Sequence, residues 1–174
     1  CSGGGGGSAS GACDGSATLS AKGVLRCLHT SVAYIETPVA SGSGFVVDGG
    51  YVVTNAHVID PYDRASVVFE GGQRFDDVPV HAVDLFADLA LLGPLTGLPA
   101  TPPLASGADL EKGDKVFLVG YPGETERTAP DVTISQGIVA RLRTADPFAL
   151  RYVQTDAAIG GGQSGGALVD EHGR

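Results

Sequence analysis

Residues Thr155 to Leu168 read T-D-A-A-I-G-G-G-Q-S-G-G-A-L and hold Ser164 between two glycine pairs. A serine hydroxyl is a poor nucleophile in water. It becomes useful when a neighbouring base takes its proton and backbone N–H groups receive the charge that develops on an attacked carbonyl. Glycines ahead of the serine let the chain turn so that the N–H groups of Gly162 and Ser164 face one hole, while Gly165 and Gly166 let other backbone come close. A glycine turn between two strands would look the same locally, so the partners decide. His57 stands in Y-V-V-T-N-A-H-V-I, just after an apolar β-rich run, where a strand stops and a short helical turn can hold an imidazole at a cleft. Asp88 opens D-L-A-L-L, a run apolar enough to be buried. A carboxylate there that accepts the imidazole N–H fixes its tautomer and stabilises the imidazolium formed during acyl transfer. Asp84 is the rival, but it precedes a Leu-Phe pair that reads as loop, whereas Leu-Ala-Leu-Leu follows Asp88 directly. The order His57, Asp88, Ser164 points to nucleophilic attack on an acyl group.

The elements that must position these groups are short and β-rich. V-A-Y-I-E-T, G-F-V-V, Y-V-V-T, A-S-V-V-F, the stretch 78–83 and L-A-L-L give six candidate strands, with a hairpin turning at Asp48-Gly49-Gly50. Six short strands are what one small barrel needs. Gly93 to Lys112 contains four prolines and reads as a connection. A second series follows, in K-V-F-L-V-G-Y, V-T-I-S-Q-G-I-V-A-R-L, L-R-Y-V-Q-T and G-A-L-V-D. Ahead of both series, Ala17 to Leu28 predicts a short helix with Val24, Leu25 and Leu28 on one face.

T-N-A-H, D-L-A-L-L and Q-T-D-A-A-I-G-G-G-Q-S-G-G-A-L, with G-S-G-F-V-V and V-G-Y-P-G, resemble the trypsin-like serine endopeptidases, and within them the bacterial HtrA/Deg branch. The resemblance runs from about Ser31 to the last residue. It implies an all-β fold of two six-stranded antiparallel barrels, with the second incomplete in this chain because only four candidate strands are present. The corresponding division is a Gly/Ser tether over 1–17, a first barrel with its leading helix over 18–95, and a second barrel over 96–174. Carried over by position, the resemblance implies His57 as general base, Asp88 as its orienting partner, Ser164 as nucleophile, and the N–H groups of Gly162 and Ser164 as oxyanion donors. Ala158 and Ile159 would line part of a specificity pocket for small or medium aliphatic side chains. Gln163 departs from the Asn or Asp that relatives usually carry there. The implied activity is endopeptidase cleavage of unfolded or exposed polypeptide through an acyl-enzyme. The segment alone is expected to have little activity, since two further strands would follow in the family. Assembly of several copies is also implied. The alternative from another class is a peptide- or protein-binding module on a protease scaffold, with cleavage weak or lost.

Composition narrows the setting. At 174 residues the chain suffices for one domain of two small barrels. A net charge of −9 argues against nucleic acid or an anionic membrane surface as partner. No segment approaches the ~20 apolar residues of a membrane-spanning helix. No Cys/His group has metal-ligand spacing, so neither metal nor other cofactor is expected. His29 and His81 read as surface or packing residues, and His172, in the turn D-E-H-G-R, as solvated. Methionine is absent, so the front of the chain is expected to be processed. Cys1 before a Gly/Ser tract resembles the mature N-terminus of a bacterial lipoprotein, which implies acyl chains on Cys1 and an extracytoplasmic, membrane-anchored place in the cell envelope. Two readings of the other cysteines stay open: Cys13 pairs with Cys27 in an oxidising compartment, or Cys27 is a buried free thiol and Cys13 is loose in the tail.

Overall fold

A computed structural model describes residues 15–106, 109–123, 130–145 and 150–174. Cys1 and Cys13 lie outside the described residues; Cys27 is disulfide-bonded, which corrects the reading of it as a free thiol. The described chain begins at Gly15, which lies against the side chain of Arg174. Helix α1 spans Ala21–Leu28, four residues shorter at its start than the sequence pattern predicts. Two bonds set that start. Ser20 caps the helix by accepting from the N–H of Gly23, and the N–H of Leu19 donates instead to the carbonyl of Glu171 at 2.7 Å.

The first series forms β1 (Val32–Glu36), β2 (Ser41–Val47), β3 (Tyr51–Thr54), β4 (Arg64–Phe69), β5 (Arg74–Asp84) and β6 (Leu89–Leu92), with the short helix α2 (Ala56–Ile59) after β3. These strands close into an antiparallel barrel in the order β1-β2-β3-β6-β5-β4. Closure removes the unpaired edges that an open sheet would leave. The second series forms β7 (Lys115–Gly120), β8 (Thr133–Ala145), β9 (Leu150–Thr155) and β10 (Ala167–Asp170), which among the described residues make a four-stranded sheet ordered β10-β7-β8-β9. Every strand of the sequence reading is present. The largest departure is β5, which runs well beyond 78–83 because it pairs with both β4 and β6 through two register shifts.

Alternation along β1 explains how the two units hold together. Ala33 and Ile35 point into the first barrel with Val46, Val52, Phe69 and Leu92, whereas Val32 and Tyr34 point outward against Phe117, Val119 and Tyr121. Val67 and Val68 on β4 divide in the same way. A strand buried on both faces reads as a continuous apolar run, which is how V-A-Y-I reads. Val24 and Leu28 of α1 close the outer cluster. Tyr34 and Tyr121 meet edge to face at 6.0 Å, and burial pushes the Tyr121 hydroxyl above its ordinary range. This shared wall fixes one unit against the other, and with them the two sides of the cleft. His172, expected in solvent, instead has its Nδ1 buried without a hydrogen-bond partner among the described residues, in the turn 170–174 that folds back through bonds from the His172 and Arg174 N–H groups to Asp170.

Candidate active site

His57 sits in α2, the single turn that follows β3, and Asp88 in the turn between β5 and β6. Because β3 and β6 are paired, with Thr54 opposite Ala90, the ends of both strands bring the two residues to one rim of the barrel. The imidazole Nδ1 lies 2.7 Å from Asp88 Oδ2, and the His57 backbone N–H donates to Asp88 Oδ1 at 2.9 Å. The carbonyl of Asp88 accepts from Asn55 Nδ2 at 2.7 Å and from the Ala56 N–H at 3.1 Å. Four bonds therefore hold Asp88 against the turn that carries His57, and they keep it at a left-handed φ of +54°, which non-glycine residues rarely adopt. Asp84 stays in its own turn, accepting from the N–H groups of Phe86 and Ala87, so the rival is excluded from His57.

Burial of Asp88 was the expectation, and the structure corrects it. Its side chain is 44% exposed and that of His57 is 56% exposed. The reason is local. Asp88 lies in a turn before β6 begins, and Leu85, Phe86 and Leu89 around it face solvent at 72%, 72% and 46%.

Ser164 comes to the same place from the second unit. Its carbonyl accepts from the N–H of Ser43 at 2.7 Å, which pins the loop to β2. Gly165 follows at φ +85°, and a Cβ there would overlap the Ser43 carbonyl oxygen and lie 2.5 Å from Thr54 Oγ1 and 3.0 Å from the Asn55 nitrogen. The serine loop thus lies directly against Thr54 at the end of β3 and Asn55 after it, three and two residues before His57. Among the described residues no hydrogen bond joins Ser164 Oγ to the imidazole. Such bonds commonly tighten only with substrate in place. Replacing Gly165 with Ala is expected to destabilise the protein by at least ~3 kcal/mol, from left-handed strain plus overlap with backbone that cannot yield. A thermal melt within a degree of the parent would show that the loop does not dock in this way.

The glycine loop has the orientation that an anion site needs. The carbonyl of Gly161 accepts from the Gly123 N–H at 2.6 Å, and that of Gln163 accepts from the Gly166 N–H at 2.9 Å. A trans peptide points its N–H opposite to its C=O, so both bonds turn the N–H groups of Gly162 and Ser164 away from the loop's own scaffold. Neither N–H has an acceptor among the described residues. Gly162 lies at φ +88°, with the Pro122–Gly123 backbone packed where a Cβ would be.

Gln163, the departure from the family pattern, is 8% exposed. Its Oε1 accepts from the Gly160 N–H at 2.9 Å and its Nε2 donates to Thr133 Oγ1 at 3.0 Å, so it fastens the loop to the start of β8. Ile159 is 69% exposed and Ala158 is exposed as well, so neither is enclosed among the described residues. Ala158 meets the sheet through its carbonyl, which accepts from Ser135 Oγ at 2.7 Å. Sequence reasoning missed the supporting roles of Ser43, Asn55, Gly123 and Thr133. Asn55 alone carried a signal, as an Asn at the N-cap of a helical turn.

Taken together, the arrangement pairs an oriented imidazole with a hydroxyl on an adjoining loop and two free N–H donors beside it, which is what acyl transfer requires. A family profile described as "Trypsin-like peptidase domain" matches residues 42–174. The chain is 41% identical over 143 residues to the mitochondrial serine protease HTRA2 of Bos taurus, covering 78% of this chain and 30% of that protein. It is 39% identical over 154 residues to the serine protease HTRA1B of Danio rerio, covering 84% of this chain and 31% of that one. It is 34% identical over 141 residues to HhoA of Synechocystis, covering 76% and 34%. The chain therefore spans about a third of the length of these relatives.

Proposed function

The chain belongs to the trypsin-like peptidase family, in its HtrA branch, and from that premise we propose that it is the catalytic domain of a serine endopeptidase acting on unfolded or exposed polypeptide. The observation that carries the proposal is the 2.7 Å contact of His57 Nδ1 with Asp88 Oδ2, on the rim against which the Ser164 loop lies. A proton on Nδ1 directed to the carboxylate leaves Nε2 as the acceptor. His57 takes the Ser164 proton as Oγ attacks the scissile carbonyl, and then gives it to the leaving amine, so that an acyl-enzyme remains for water to cleave. Negative charge on the former carbonyl oxygen is received by the N–H groups of Gly162 and Ser164. Ala158 and Ile159 offer no carboxylate to a basic side chain, which supports a preference for small aliphatic residues before the scissile bond. A fluorophosphonate probe tests the reading, because only an activated serine with formed oxyanion donors reacts fast. The full-length protein should be labelled on Ser164 within minutes. Absence of labelling would overturn the proposal.

The place of action belongs to the same proposal. Cys1 followed by the Gly/Ser tract supports an acylated, membrane-anchored protein of the bacterial cell envelope. Each buried methylene contributes about 0.8 kcal/mol and one chain holds only weakly, so stable attachment uses the several acyl chains of a lipoprotein. Cys1→Ser should move the protein from the membrane fraction to the soluble envelope or medium. Membrane retention of that variant would place the anchor elsewhere.

A further inference from the structure

Ser43 is fully buried on β2; its hydroxyl and backbone N–H are used across the junction of the two units, and its carbonyl within the first barrel. Its Oγ accepts from the Tyr121 N–H at 2.8 Å. With that N–H as donor, the single hydroxyl proton is free for the carbonyl of Gly162, 2.9 Å away. Its backbone N–H donates to the Ser164 carbonyl at 2.7 Å, and its own carbonyl accepts from Thr54 Oγ1 at 2.7 Å, beside the turn that carries His57. One residue of the first barrel therefore holds the carbonyls on both sides of Gln163–Ser164, while its other bonds reach the ends of β3 and β7. Gly120 leaves room for the hydroxyl, since a Cβ there would lie 3.0 Å from Ser43 Oγ.

We propose that Ser43 is a positioning residue for the oxyanion site: its hydroxyl fixes the Gly162–Gln163 peptide, and so keeps the neighbouring Gly162 N–H aimed at the reacting carbonyl oxygen. This rests on the proposed acyl transfer at Ser164. Gly162 lies at a positive φ, and its two flanking peptides are held separately, Gly161–Gly162 by the Gly123 N–H and Gly162–Gln163 by the Ser43 hydroxyl. Unpinned on one side, the loop exchanges between orientations, and only one of them presents both donors. The nucleophile is affected less, because the Ser43 backbone N–H still holds the Ser164 carbonyl whatever the side chain.

The test compares two reactions of residue 164 in the full-length protein. Phosphonylation of Ser164 by a fluorophosphonate needs the oxyanion donors, whereas alkylation of a Ser164→Cys variant by iodoacetamide does not. Ser43→Ala should slow phosphonylation by roughly 10- to 100-fold, less than the ~10²–10³ for outright removal of an oxyanion donor. It should lower kcat in parallel with KM little changed, and leave alkylation in the Ser164→Cys background within about twofold, since that step needs no oxyanion donor. If Ser43→Ala does not fold, Ser43→Cys fills the site with a weak donor and carries the same comparison. Labelling of Ser43→Ala at the parent rate overturns this proposal alone. Equal losses in both reactions also overturn it, as they would mark a general structural role. A parent that is not labelled at all removes the acyl-transfer reading itself.

Discussion

Ser164→Ala is expected to lower kcat by about 10⁴- to 10⁶-fold in the full-length protein, because a nucleophile and its base act as a unit. That is roughly 5–8 kcal/mol of transition-state stabilisation. The fold should not notice. Ser164 Oγ has no hydrogen-bond partner among the described residues, and the bond that docks its loop uses the backbone carbonyl, which alanine keeps. A stability change within ~0.5 kcal/mol follows, as for substitutions that touch no packed or bonded group. Peptidase assays and thermal melts on parent and variant, side by side, check both halves. Residual activity above about a hundredth of the parent would assign the nucleophile elsewhere.

Asp88→Asn is expected to cost on the order of 10⁴ in kcat, through the tautomer of His57. Asp88 is bonded twice to that residue, from Oδ1 to the backbone N–H and from Oδ2 to Nδ1. In the asparagine the carbonyl oxygen stays on the backbone N–H, so the amide NH₂ faces Nδ1. Nδ1 must then accept, the imidazole proton moves to Nε2, and the nitrogen nearest Ser164 can no longer take the serine proton. The half-exposed position of the pair means that little stability should be lost, since water screens the charge interaction. The signature is thus a large fall in kcat at a nearly unchanged melting temperature. A fall of less than about tenfold would show that the carboxylate does not set the tautomer.

The pieces of the candidate site differed in how far the sequence exposed them. His57 and Asp88 were legible because each follows or precedes an apolar run whose strand character is local, so the ends of β3 and β6 could be foreseen. The glycine run was legible too, since residues without a Cβ let the chain turn and come close to other backbone, but residue type did not say that Gly162 and Gly165 would be the ones at positive φ. Exposure was not legible. D-L-A-L-L reads as buried, yet Leu89 points outward and Asp88 remains in the turn before it. Alternation tells which residues share a face of a strand, but not whether anything covers that face. Ile159 illustrates the same gap, apolar in type and 69% exposed in place.

What the sequence determined alone is local: ten strands in two series, a glycine loop around a serine, a histidine on a one-turn helix, and a net charge of −9. These follow from propensity, period and net charge, which neighbours along the chain suffice to set. Only the tertiary structure decided which of those parts meet. Ser43 and Gly162 are 119 positions apart, and Thr133 and Gln163 are 30 apart. A serine on a strand gives no sign in its surroundings that its hydroxyl will hold a carbonyl on another sheet. Long-range pairing of that kind depends on how β1 divides its two faces between two cores, and thus on the packing of the whole domain.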